Sequence, residues 1–123
     1  MVAVAAAEVT ISTTGRVAVV AMVGEVVLAT APALREALVT VCDGAAVLVV
    51  VDFAEVTFAD SAALAVLVAG HKRLERMSRQ LMIVNVGPQQ MTIFTLTGLQ
   101  RLMDVRACSE ALPPSVRQII RTA

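Results

Sequence analysis

The sequence predicts an α/β fold, a mixed sheet of four or five strands with about four helices packed mainly on one of its faces. Three observations carry that expectation: strand-like and helix-like segments alternate along the chain, residues 47–53 form an apolar run without polar alternation, and at Asp60-Ser61 the apolar period changes from strand to helix. An unalternated β-branched run suits a central strand covered on both faces. Helical spacing that follows such a strand suits the connection to a neighbouring parallel strand.

Taken in order, residues 8–12 and 16–23 read as two strands joined at Thr14-Gly15 and paired as a hairpin. Pro32 suits a first helical turn, and Leu34, Leu38 and Val41 give residues 31–42 an apolar face, with Asp43-Gly44 as the stop. After the third strand, residues 52–60 form a short polar-apolar stretch. Asp52 is placed at the solvent end of that strand, because an ionised Asp is rarely buried without a partner. The helix from residue 61 to about residue 78 carries Leu64, Leu67, Gly70, Leu74 and Met77 on one stripe expected to be buried. Lys72, Arg73, Arg76 and Arg79 gather toward its end, where they complement the negative pole of the helix; a nucleic-acid patch is the sharper alternative. Residues 81–86 read as a fourth strand, Gly87-Pro88 as a turn, and residues 89–97 as a helix ended by Gly98. A short strand at 104–107 and a terminal helix at 115–120, behind Pro113-Pro114, complete the order.

At 123 residues and 58% apolar composition, the chain suits one domain spanning residues 1–123 around one core. Ten acidic and ten basic side chains cancel, so no net field draws it to nucleic acid or an anionic membrane. The longest membrane-span candidate, residues 17–34, is interrupted by Gly24-Glu25 and Pro32, short of the about 20 apolar residues a span needs. Residues 1–7 are apolar but lack a basic lead and run on to Ser12-Thr13-Thr14, so no signal peptide is read and a cytoplasmic protein is expected. Cys42 and Cys108 are expected as two reduced thiols, with a regulatory disulfide as the alternative, and with a single His they supply no zinc ligand set.

Catalytic chemistry finds little footing. A serine nucleophile needs a base within hydrogen-bond reach, and His71 lies ten residues beyond Ser61 on the same predicted helix, about 15 Å away. Asp52 and Asp60 form a conceivable carboxylate pair, yet Gly24 and Gly87-Pro88 make no phosphate-cradling loop, and no nucleotide fingerprint exists. Neither enzymatic activity nor a cofactor or metal is expected. What remains is Ser61 itself, at a helix N-terminus. It reads as an N-cap for free backbone N–H groups, or as a switch whose phosphate would meet the positive end of the helix dipole.

The segment Val49-Val50-Val51-Asp52-Phe53, followed by Val56-Thr57-Phe58-Ala59-Asp60-Ser61-Ala62-Ala63-Leu64, resembles the strand, loop and phosphorylation segment of STAS domains, specifically the bacterial anti-sigma factor antagonists. Gly24-Glu25 resembles the family's Gly-Glu-Leu-Asp after the second strand, and Thr97-Gly98-Leu99 its later helix-ending Ser/Thr-Gly-Leu, so the resemblance covers roughly residues 9–107. It implies a partner-switching protein. Unphosphorylated, such an antagonist binds an anti-sigma factor that is also a serine kinase and so frees the sigma factor; phosphorylation ends the binding and a phosphatase resets it. By matching position, Ser61 would accept the phosphate, Asp60 would neighbour it in the kinase contact, and Glu25 would lie on the adjoining loop. The partner face would then comprise Glu25, Thr57, Phe58, Asp60, Ser61 and Ala62 on a monomer or weak dimer. Ala62 and Ala63 stand where the family has Ser or Thr and then Gly, and Val27 stands in place of an acidic residue. The alternative is a STAS-like interaction or ligand-sensing module in a larger assembly, with Ser61 as a simple cap.

Overall fold

The computed structural model describes residues 8–122; the expectation about residues 1–7 lies outside them. Strands β1 (Glu8–Thr14) and β2 (Val17–Val26) form the expected hairpin, with Thr14 opposite Val17. The two-residue turn is therefore Gly15-Arg16, and Gly15 takes φ +57°, a conformation that costs glycine no Cβ clash. Then follow α1 (Ala31–Cys42), β3 (Leu48–Ala59), α2 (Ser61–Arg76), β4 (Gln80–Val84) and α3 (Pro88–Leu96). A single turn α4 (Leu99–Leu102), the short β5 (Asp104–Val105) and α5 (Pro114–Thr122) end the described chain. The sheet order is β1-β2-β3-β4-β5, antiparallel only at the hairpin and parallel from β2 onward.

Alternate residues of the central strands feed two cores. Val20 and Met22, Val49 and Val51, and Leu81 and Ile83 pack with Leu34 and Leu38 of α1, Leu64, Leu67 and Leu74 of α2, and Phe94 of α3. Between them, Val19, Val50, Met82 and Val84 point to the opposite face, under Leu112 and Val116 at the C-terminal end of the described chain. The helices thus lie mainly on one face, with α5 on the other. Burial from both sides explains why the β3 run carries no polar alternation, and each such Val or Leu contributes about 1.5–3 kcal/mol of transfer free energy.

Two expectations about β3 are corrected here. The stretch after Phe53 is not a connector but strand, which continues to Ala59 beside β2 with two register shifts, at Ala21/Val23 and at Gly24/Glu25. Nor does Asp52 mark a solvent end: it is 5% exposed, and its Oδ1 accepts from the Ala54 N–H and the Asn85 side-chain amide, both at 3.0 Å. Asp52 sits opposite Val84 on the last rung of the β3–β4 ladder and, on its other side, opposite Ala21 where the β2–β3 register shift begins. The requirement that a buried Asp have partners is met.

At the far end of α2 two further expectations shift. Met77 caps the helix and is exposed, so the buried stripe stops at Leu74. Arg79 lies beyond α2, where it donates to the carbonyls of Gly44 (2.7 Å) and Cys42 (3.3 Å), completing the end of α1. Cys42 is buried, Cys108 is exposed, and both are free thiols.

Candidate functional site

The predicted site residues converge at the carboxyl ends of β2 and β3, where α2 begins. Asp60 is the N-cap of α2, in extended backbone, and Ser61 is its first helical residue. That corrects the assignment of the cap to Ser61. The Asp60 Oδ1 accepts from the N–H groups of Ala62 (2.9 Å) and Ala63 (3.2 Å), satisfying two of the donors a helix start leaves free. Its Oδ2 accepts from the Leu28 N–H at 3.1 Å. One carboxylate therefore ties the first turn of α2 to the loop between β2 and α1.

The same loop is held from its other side. Thr30 is buried, and its hydroxyl accepts from the Val27 N–H and donates to the Glu25 carbonyl, both at 2.8 Å. The Asp60 N–H in turn donates to the Val26 carbonyl at 3.1 Å. Loop and helix start thus form one hydrogen-bonded unit. Glu25 is not on a loop, as expected from the sequence, but in the last two residues of β2, opposite Phe58 of β3. Gly24 before it takes φ +99° at the register shift, a backbone position that favours glycine.

Ser61 is exposed, and its hydroxyl makes no hydrogen bond among the described residues, since the capping role has gone to its neighbour. Two exposed apolar side chains lie on the adjoining segments, Leu28 at 78% exposed and Phe58 at 49%. Thr57 is exposed as well, while its carbonyl accepts from the buried Gln90 side chain at 3.4 Å. All six predicted partner residues therefore lie on two adjoining strand ends and one helix start. Sequence reasoning missed Leu28, Thr30 and Gln90. Leu28 carries no readable signal, because its place in the site depends on a backbone N–H.

His71 shares α2 with Ser61, ten positions on, so the two cannot form a dyad within one chain. It lies instead 3.6 Å from Glu75, one turn further along. Among the described residues no three His, Cys, Asp or Glu side chains converge on a metal-sized site. No helix among them is long and apolar enough to cross a membrane.

The family model of the STAS domain matches residues 8–117, which hold the whole sheet and the Asp60-Ser61 helix start. The chain belongs to the STAS domain family. It is 32% identical over 87 residues to an anti-sigma-B factor antagonist of Bacillus subtilis, covering 71% of this chain and 79% of that protein. Its fold matches the crystal structure of an anti-sigma factor antagonist from Mycobacterium paratuberculosis with a TM-score of 0.80 at 27% identity, over 91% of this chain and 95% of that one. It also matches the Bacillus cell fate determinant SpoIIAA in its phosphorylated form, with a TM-score of 0.67 at 19% identity, over 94% of this chain and all of that one; this last likeness is one of fold alone.

Proposed function

We propose that this protein is an anti-sigma factor antagonist whose binding is switched at Ser61. Unmodified, it binds an anti-sigma factor with serine kinase activity and releases a sigma factor; phosphate on Ser61 ends the complex, and a phosphatase restores it. The reading extends to the whole chain, residues 1–123, as one cytoplasmic, non-enzymatic domain without nucleic-acid or membrane partners, and it takes its direction from the antagonist relatives. The observation that carries it is the division of labour at the helix start. Asp60 does the capping, which leaves the Ser61 hydroxyl exposed and unengaged, available to a kinase without loss of a structural hydrogen bond. Phosphate would add about −1.5 to −2 charge beside the Asp60 carboxylate. A partner seated on Leu28 and Phe58 would have to desolvate that charge.

The test is calorimetric titration of three folded forms against the cognate anti-sigma factor, with phosphate mapped by mass spectrometry after incubation with that partner and ATP. Ser61→Ala is expected to bind as the unmodified protein does, Ser61→Glu at least about tenfold more weakly, and phosphate to appear on Ser61. Equal affinities and no phosphate would leave a second reading, an interaction module without a serine switch, which the apolar Val27 and the Ala62-Ala63 pair favour.

A further inference from the structure

We propose that the groove between α1 and α2 binds a small amphipathic anion, an unbranched aliphatic carboxylate of medium chain length. This inference does not depend on the Ser61 switch. The groove encloses about 280 Å³, just under the range of about 300–1,000 Å³ typical of drug-sized ligands. Two facing stripes build it. From α1 come Arg35, Leu38, Val39 and Cys42, spaced as one helical face; from α2 come Ala65, Val66, Ala69, Gly70 and Arg73.

Floor and walls differ in character. Leu38, Val66 and Gly70 are buried and close the bottom, where the helices approach so tightly that a Cβ on Gly70 would stand 3.0 Å from a Leu38 methyl. Ala65 and Ala69 are exposed and too short to fill the space above. Between the two arginines the lining is therefore largely aliphatic, which suits a methylene chain. No acidic side chain lines the groove, and each helix brings one guanidinium to it. Arg73 is held at the far end of α1 by Asp43, at 2.9 Å. Arg35, in the first half of α1, is exposed and makes no ion pair or side-chain hydrogen bond among the described residues. Charge complementarity thus sets the headgroup at Arg35, whose planar fork matches a carboxylate, with the tail running toward Gly70 and Cys42.

The experiment titrates the full chain with decanoate below its micelle concentration, followed by amide chemical shifts and calorimetry. Saturable one-to-one binding is expected, with shifts centred on α1 and α2. Affinity should change about fourfold per methylene between octanoate and decanoate, the increment for one buried CH₂. Arg35→Gln should weaken decanoate at least tenfold, and the methyl ester should bind the wild type equally poorly. Ala69→Leu, at an exposed position, should fill the groove and abolish binding while thermal unfolding shows the protein intact. Three results would overturn the proposal. They are absence of saturable binding, equal affinity for decanoate and decylammonium, and a concentration-dependent dimer that Ala69→Leu dissolves, which would assign the groove to a second copy of this chain.

Discussion

Asp60→Ala should destabilise this protein by about 1–3 kcal/mol, whereas Ser61→Ala, one residue away, should cost less than about 0.5 kcal/mol. The difference follows from which side chain the backbone uses. Removing an N-cap carboxylate costs about 0.5–2 kcal/mol, and here it frees two donors, the N–H groups of Ala62 and Ala63. The third bond, from the Leu28 N–H, is exposed to water and adds about 0.5–1 kcal/mol net, the lower part of the usual range. For a chain of 123 residues, 1 kcal/mol moves the melting temperature by about 4 °C, so a fall of about 4–12 °C is expected. Urea and thermal unfolding followed by far-UV circular dichroism would measure it. Asp60→Asn provides the control, because Asn caps about as well as Asp and should recover most of the loss. If Ser61→Ala proves as costly as Asp60→Ala, or if Asp60→Ala stays within about 0.5 kcal/mol of the wild type, the cap has been assigned to the wrong residue.

Other perturbations test the rest of the framework. Asp52→Leu should cost about 2–4 kcal/mol by urea unfolding, because the Ala54 N–H and the Asn85 amide lose their acceptor in a buried setting; a neutral result would mean that water replaces it. At Gly98, φ is +76° and an added Cβ would meet nothing, so Gly98→Ala should cost only the left-handed conformation, about 1–2 kcal/mol, and a larger loss would show a contact that the structure lacks. The two thiols should react with a disulfide reagent in separate phases near pH 8. Cys108 is exposed and fast, while burial both shields Cys42 and pushes its thiol pKa up, holding back the thiolate, so Cys42 should accelerate as pH rises or on denaturation; a single phase would refute the assigned burial.

How far the sequence could be read depends on whether each signal is local. The run ending at Phe53 was legible because burial on both faces removes polar alternation, and the start of α2 because the apolar period changes there. The strand beyond Phe53 was not. Its two register shifts leave Val56 and Ala59 buried three positions apart, which breaks the two-residue alternation by which a strand is read. Asp60 and Ser61 are both good N-cap residues in adjacent positions, so composition cannot choose between them, and the choice is made by the extended backbone at Asp60. Asp52 was misplaced for a related reason: a buried carboxylate needs a partner, and its side-chain partner, Asn85, is 33 residues away. The one-turn α4 offers no buried residue and hence no apolar period to detect.

The position of Asp60 also bears on how a modified Ser61 would act. In the unmodified protein the α2 N-terminus, with its partial positive charge, is already paired with a carboxylate through two hydrogen bonds. A phosphate on Ser61 would compete with that carboxylate for the same first-turn donors while repelling it across one residue. Asp60 has two attachments to lose, and the weaker is the single bond to Leu28, since the cap is held by two. Loss of that bond would free the Leu28 end of the loop, while Thr30 would still anchor the Val27 end. The modification would therefore act on the proposed partner surface twice, by adding charge that must be desolvated and by loosening its most exposed apolar residue. Amide hydrogen exchange at Leu28 separates the two effects: faster exchange in the Ser61-phosphorylated protein, with Val27 unchanged, shows the loosening, and unchanged exchange at both leaves charge alone.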